Sequence, residues 1–207
     1  MLEHLPAWLG RALAGARAGT DRLAIARAEL GGQFAALDVS SPAFANGARL
    51  PVRFTADGTG ASPPLTWGEP PAGTTMLALL VEDADAPAPQ PLVHAIVWGL
   101  PAQAGGLAEG AIVADGHGDA ATGDVGRNSF LREGWLPPDP PRGHGEHRYA
   151  FQLFALAGDC GDPGATPGRG AIVAAMAGHV LAAGLLVGTY TREEEAPVGP
   201  VGAAIAG

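Results

Sequence analysis

A chain of 207 residues, 47% hydrophobic and 16% charged, can bury a core as one domain, and 12 scattered Lys and Arg against 21 Asp and Glu argue against a nucleic-acid-binding stripe. No window approaches the roughly 20 continuous apolar residues of a membrane span and no basic head precedes an apolar run, so the expectation is a cytoplasmic protein with no integral membrane segment. Cys160 is the single cysteine, which excludes an intrachain disulfide and a paired-Cys metal site.

The abundance of glycine (32) and proline (19) points to a loop-rich β protein. At the N-terminus, Trp8, Leu9, Ala12, Leu13 and Ala16 recur at helical spacing, with Pro6 at the first turn and Gly19 past the end, predicting a helix over 6–18. Thr20-Asp21 can cap a second short helix through Leu30. The Gly31-Gly32 break then sets off residues 1–36 as a helical extension that packs on the core or on a second subunit. After Leu37 come short apolar runs punctuated by Pro, Gly, Asn and Asp, the pattern of strands, here over 52–55, 76–82, 92–99, 149–157 and 186–191. Ile172, Val173, Met176 and Val180 interrupt this series with an amphipathic helix over 169–183, ended by Gly184. Residues 101–136 show little periodicity and read as a long functional or mobile loop, and residues 193–207 as a tail to a β domain over 37–192.

Candidate chemistry gathers at three places. In the predicted strand 76–82, Asp83 continues the face of Leu77, Leu79 and Val81, which brings a carboxylate to the rim of an apolar surface; Asp83 and Asp85 equally suit the turn before Pro87. In the next strand His94 shares a face with Ile96 and Trp98 and needs partners for its ring nitrogens, with Asp83 the nearest acid and backbone carbonyls the alternative. The third place is the stiff stretch from Pro137 to Tyr149, where four prolines and two glycines hold the backbone ahead of His147 and Tyr149, which share a face. Arg148, of opposite parity, points to structural carboxylates, and His144, between Gly143 and Gly145, is expected in solvent and outside the site.

Four ordered blocks carry a resemblance: Ser41-Pro42-Ala43-Phe44 with Leu50-Pro51 and Asp57-Gly58; Ser62-Pro63-Pro64-Leu65-Thr66-Trp67; Asp83-Ala84-Asp85-Ala86-Pro87 with Val93-His94; and Pro140-Pro141-Arg142-Gly143-His144-Gly145-Glu146-His147-Arg148-Tyr149. With Gly178-His179-Val180-Leu181 and Gly188-Thr189-Tyr190, they resemble the phosphatidylethanolamine-binding protein family, in particular its bacterial, Raf-kinase-inhibitor-like branch, over about residues 37–192. The resemblance implies a mainly β, antiparallel, two-sheet Greek-key fold with flanking helices. It also implies an anion pocket lined by Asp83, His94, Pro140, Pro141, His147 and Tyr149, with Asp85 close by. Asp139 departs from the family's glycine, and an acid there opposes an anion if it faces the pocket.

The resulting expectation is a binding protein for a small anion such as phosphate or a phospholipid head group, without catalysis or cofactor, that pairs as a homodimer and has a possible regulatory role. The alternative is a hydrolase using Asp83 with His94 or His147 as an acid–base pair. Zinc held by His94, His147 and a carboxylate is disfavoured, because the proline loop supplies no close His-x-His pair.

Overall fold

The computed structural model describes residues 7–114 and 123–192. In chain order the elements are helix α1 (Ala7–Leu13), strands β1 (Ala35–Ala36), β2 (Val39–Ser40), β3 (Leu65–Trp67), β4 (Thr74–Asp83), β5 (Leu92–Leu100), β6 (Gly105–Leu107), β7 (Asp124–Val125) and β8 (His147–Ala157), helix α2 (Arg169–Met176) and strand β9 (Val180–Tyr190). Six strands form one sheet in the order β1-β9-β8-β4-β5-β7, and β2-β3-β6 form a second. Neighbours are antiparallel except β1 and β9. Strand β8 returns beside β4 after β5 and β7 have been laid down on its other side, which is a Greek-key order.

The long strands read as nearly continuous apolar runs because both faces of the large sheet are covered. On one face Leu77, Leu79, Val81, Val97, Phe151 and Leu153 meet Leu65, Trp67 and Leu107 of the small sheet. On the other, Leu80, Ile96 and Phe154 meet Ile172 and Met176 of α2 together with Ala24 and Leu30 of the N-terminal segment. Full burial of each large side chain contributes about 1.5–3 kcal/mol, so the two faces together supply most of the driving force for the fold.

The N-terminal segment is tied to this outer face by polar contacts as well. Glu82, fully buried on β4, accepts hydrogen bonds from the backbone N–H of Ala24, the side-chain amide of Gln152 and the guanidinium of Arg169. The side chain of Gln152 in turn accepts from the N–H of Ile25.

These bonds explain one departure from the helical spacing. Instead of a second α-helix, residues 20–30 make three successive 3-10 turns, Thr20–Arg22, Ala24–Ala26 and Ala28–Leu30. Two backbone N–H groups that an α-helix would use are given to buried side chains of the sheet. The first helix is shorter than 6–18, and Pro6 lies outside the described residues. Residues 52–55 form a 3-10 turn rather than a strand, with Phe54 as a fully buried anchor and the turn closed by the Phe54 and Thr55 N–H groups on Pro51 and Val52. The helix expected over 169–183 stops at Met176. Gly178, at φ +78, turns the chain, and Val180 already pairs with Leu156 at the start of β9. The tail 193–207 lies outside the described residues, as does part of the loop 101–136, whose remainder contributes β6 and β7.

Candidate functional site

Three adjacent strands bring the polar residues to one end of the large sheet. Asp83, the last residue of β4, lies opposite Tyr149 on β8, and His147 opens β8 two residues earlier. Their shared face is the one carrying Val81 and Phe151, as the alternation of side chains predicts.

His94 arrives by a different route. Val81 pairs with Ala95 and Glu82 with Val93, so His94 is an extra residue on β5, a β-bulge. Regular alternation would have placed it with Ile96 and Trp98, which pack on the outer face. The bulge instead turns its ring to the inter-sheet face, where it meets the Tyr149 ring edge-on at 5.0 Å and Trp135 at 6.0 Å.

Together these strands and the proline loop enclose a cavity of about 170 Å³. Asp83, His94, Asp139 and His147 supply its polar groups, and its apolar wall includes Leu92, Phe130, Leu136, Pro140 and Pro141. The carboxylate of Asp83 has two partners: Oδ1 accepts the N–H of Asp85 at 2.8 Å, closing the acidic turn, while Oδ2 meets Nδ1 of His147 at 2.7 Å. One oxygen of Asp83 thus closes the turn while the other meets His147 beside the cavity. Nδ1 of His94 donates to the carbonyl of Leu136 at 2.6 Å, and its Nε2 is buried with no hydrogen-bond partner.

The remaining expected residues separate. Tyr149 is fully buried behind His94 rather than on the cavity wall, and its hydroxyl has no hydrogen-bond partner. Asp85 does not line the cavity. Its buried carboxylate is held by the guanidinium of Arg148 at 2.7 Å, by Arg17 at 2.7 Å and by the N–H of Arg148 at 2.9 Å. Arg148 is thus structural, as its parity indicates. Asp139 does line the cavity, but its charge is compensated by Arg192, a nearly buried guanidinium that also grips Asp57.

His144 is the clear reversal. It is 2% exposed, not in solvent, and its Nδ1 lies 2.7 Å from Nε2 of His147. Gly143 (φ +77) and Gly145 (φ +101) adopt left-handed backbone that folds the loop back on itself and turns the imidazole inward. The separation of His144 and His147 by three positions across a glycine turn was the available signal. Phe130, Trp135 and Leu136 carried no such signal, because they come from the aperiodic region.

Electrostatics divide the two cavity histidines. Burial lowers the pKa of His94, opposed by the Asp83 charge and the bond to Leu136 and assisted by His147, so the ring of this cavity-lining residue is neutral and its bare Nε2 is an acceptor. Burial pushes the Tyr149 hydroxyl well above its ordinary value, with Asp83 adding to the effect, and it stays protonated. For Asp85 burial opposes ionisation, but hydrogen bonds from Arg148 and Arg17 outweigh it and hold the carboxyl at about 2. Among the described residues no group of three or more His, Cys, Asp or Glu is placed to hold a metal ion. No helix among them is long and apolar enough to cross a membrane.

The same arrangement of strands is found in known proteins. The family model for phosphatidylethanolamine-binding protein matches residues 40–191. A putative lipoprotein, LppC, of Mycobacterium tuberculosis is 40% identical over 156 residues, covering 74% of this chain and 72% of the relative. A UPF0098 protein of Aquifex aeolicus is 35% identical over 161 residues, covering 77% and 91%. Among solved structures, a putative phosphatidylethanolamine-binding protein homolog, CT736, from Chlamydia trachomatis superposes with a TM-score of 0.67 at 32% identity, over 76% of this chain and 98% of that one. YbcL of E. coli, described as a member of the mammalian family, superposes with a TM-score of 0.70 at 27% identity, over 76% and 99%. With the Greek-key sheet, the ordered sequence blocks and these matches in agreement, the chain belongs to the phosphatidylethanolamine-binding protein family, alongside its bacterial members.

Proposed function

We propose that this protein binds a small ligand with a phosphate-type anionic head in the cavity between Asp83, His94 and His147, and does not turn it over. The observation that carries the reading is the buried, unpartnered Nε2 of His94 on the cavity wall. A buried polar atom without a partner costs about 1–3 kcal/mol, which a ligand recovers by supplying the missing partner. A monoprotonated phosphate has both a P–OH to donate to Nε2 and a negative charge. If the proton sits on Nε2 instead, the imidazolium and the anion compensate each other within the apolar wall. Either way one anion and one proton enter together. The pairing of Asp139 with Arg192 supports the reading, since it removes the main repulsion.

The hydrolase alternative draws less support. Neither Nδ1 nor Nε2 of His147 is available to a water, and no Ser, Thr or Cys is among the residues that line the cavity.

Calorimetric titration of the full chain with inorganic phosphate and with phosphoethanolamine tests the proposal. Saturable binding is expected, weakened at least about tenfold by His94→Ala, the loss of one charge-assisted hydrogen bond. Equal affinity of the native protein and the variant would reject this cavity as the site.

A further inference from the structure

Three contacts in a row leave little freedom in where protons sit. Oδ2 of Asp83 is 2.7 Å from Nδ1 of His147, Nε2 of His147 is 2.7 Å from Nδ1 of His144, and Nε2 of His144 is 2.9 Å from the carbonyl oxygen of Leu13 and 3.2 Å from that of Ala16. Two ring nitrogens cannot present lone pairs to each other at that distance, so a proton lies between them. A carbonyl oxygen brings no proton, so Nε2 of His144 is an N–H donor. The contact between carboxyl and Nδ1 requires a third proton. Two neutral imidazoles carry only two, so the third makes the cluster neutral overall, and with that proton on the nitrogen side of the Asp83–His147 contact it is one carboxylate balanced by one imidazolium.

His147 is the ring that carries the charge, because it is paired directly with Asp83. His144 bonds only to neutral carbonyls and His147. Its pKa is lowered by burial, then by the charge of His147, against the opposing bonds to the Ala16 and Leu13 carbonyls, with Arg17 adding to the lowering. Other charged or titratable groups around the cluster are His94 on β5, Tyr149 and Arg148 on β8, Asp85 in the acidic turn, Asp139 on the cavity wall and Glu146 on the loop itself.

We propose that His144 is a positioning residue of the cavity and that the N-terminal segment completes the site, its Leu13 and Ala16 carbonyls fixing the tautomer of His144 and thereby the charged state of His147. These carbonyls lie outside residues 40–191, the part of the chain that matches the family. The segment is seated independently of any ligand: Arg17 reaches Asp85 at 2.7 Å and the carbonyl of Glu146 at 2.8 Å. At Gly10 the helix passes so close to the loop that a Cβ would overlap the carbonyl oxygen of Arg142. With both nitrogens engaged, His147 supplies charge and orientation, and Nε2 of His94 is left to touch the ligand. This last consequence, unlike the proton assignment, rests on the reading of the cavity as a ligand site.

The test is imidazole 15N NMR of the full chain without ligand, followed by titration with inorganic phosphate. The native chain is expected to show both nitrogens of His147 protonated and His144 protonated at Nε2 alone, as the contacts require. His144→Leu is expected to return His147 to a neutral ring and to weaken phosphate binding about five- to tenfold. Gly10→Val, which alters neither ring and pushes α1 off the loop, is expected to do the same and keeps the question open to test if His144→Leu fails to fold. A neutral His147 in the native chain, or an unchanged His147 spectrum in both variants, would overturn the proposal. A doubly protonated His147 in a native chain that ignores phosphate would support the proton assignment and defeat the proposed ligand.

Discussion

At the scale of residues, the two cavity histidines are opposites produced by their neighbours. His147 sits between a carboxylate and a second imidazole, whereas His94 has one carbonyl and a bare nitrogen facing an apolar wall. The sign of the pH dependence follows. The folded pKa of His94 lies below its ordinary value, so without ligand the fold loses stability as the pH falls through about 6.5, where the unfolded chain takes up a proton and the buried ring does not. An anion in the cavity favours the imidazolium, so proton and anion bind together. Sulfate, which carries no proton of its own at these pH values, is therefore expected to bind more tightly as the pH is lowered, by up to about tenfold per unit, until His94 of the free protein is itself protonated. His94→Gln should flatten that profile, and a native profile that rises with pH would contradict the assignment.

At the scale of elements, β4 has a different task on each face. Asp83 turns toward the cavity, and Glu82, its neighbour, turns to the outer face, where it joins Ala24, Gln152 and Arg169. Removing one partner of a buried ion pair costs about 3–5 kcal/mol, because the other charge is left without compensation. Glu82→Ala is accordingly expected to lower stability in urea by about that amount while the folded fraction keeps its affinity for phosphate. A loss below about 1 kcal/mol would mean that water replaces the carboxylate on Arg169. The bulge in β5 is the second feature at this scale. The long strands β4, β5 and β8 and the second half of β9 were legible as apolar runs, while the short strands were not and 52–55 was a false one; the apparent alternation of His94 with Ile96 and Trp98 was misleading. A bulge is decided by how β5 registers on β4, and a single strand's sequence does not contain its partner. The residues 20–30 make the same point, since their helical spacing yields to N–H groups taken by side chains far along the chain.

At the scale of the whole molecule, the N-terminal segment joins the two faces of the large sheet: Ala24 and Leu30 close the outer core, while the carbonyls of Leu13 and Ala16 reach His144 beside the cavity. Its backbone also bonds to the acidic turn, with the N–H of Ala18 on Ala86 at 3.0 Å and that of Gly19 on Ala84 at 2.8 Å. If the segment opens only with the domain, the N–H groups of Ala18, Gly19, Ala24 and Ile25 should be protected from hydrogen exchange to within about tenfold of those in β4 and β8. Protection several hundredfold weaker would identify residues 7–30 as a unit that unfolds separately. The sequence by itself determined the apolar runs of β4, β5 and β8, the rigidity of the proline loop and the ordered blocks of the family, because strand burial, proline geometry and motif order are local properties of the chain. The inward turn of His144, the bulge at His94, the neutralisation of Asp139 by Arg192 and the role of the N-terminal carbonyls were decided only in three dimensions. For Asp139 and for the N-terminal carbonyls the deciding partner lies tens of residues away, for His94 it is the register on the neighbouring strand, and for His144 the nearby His147 and glycines act only once the loop has packed on the sheet.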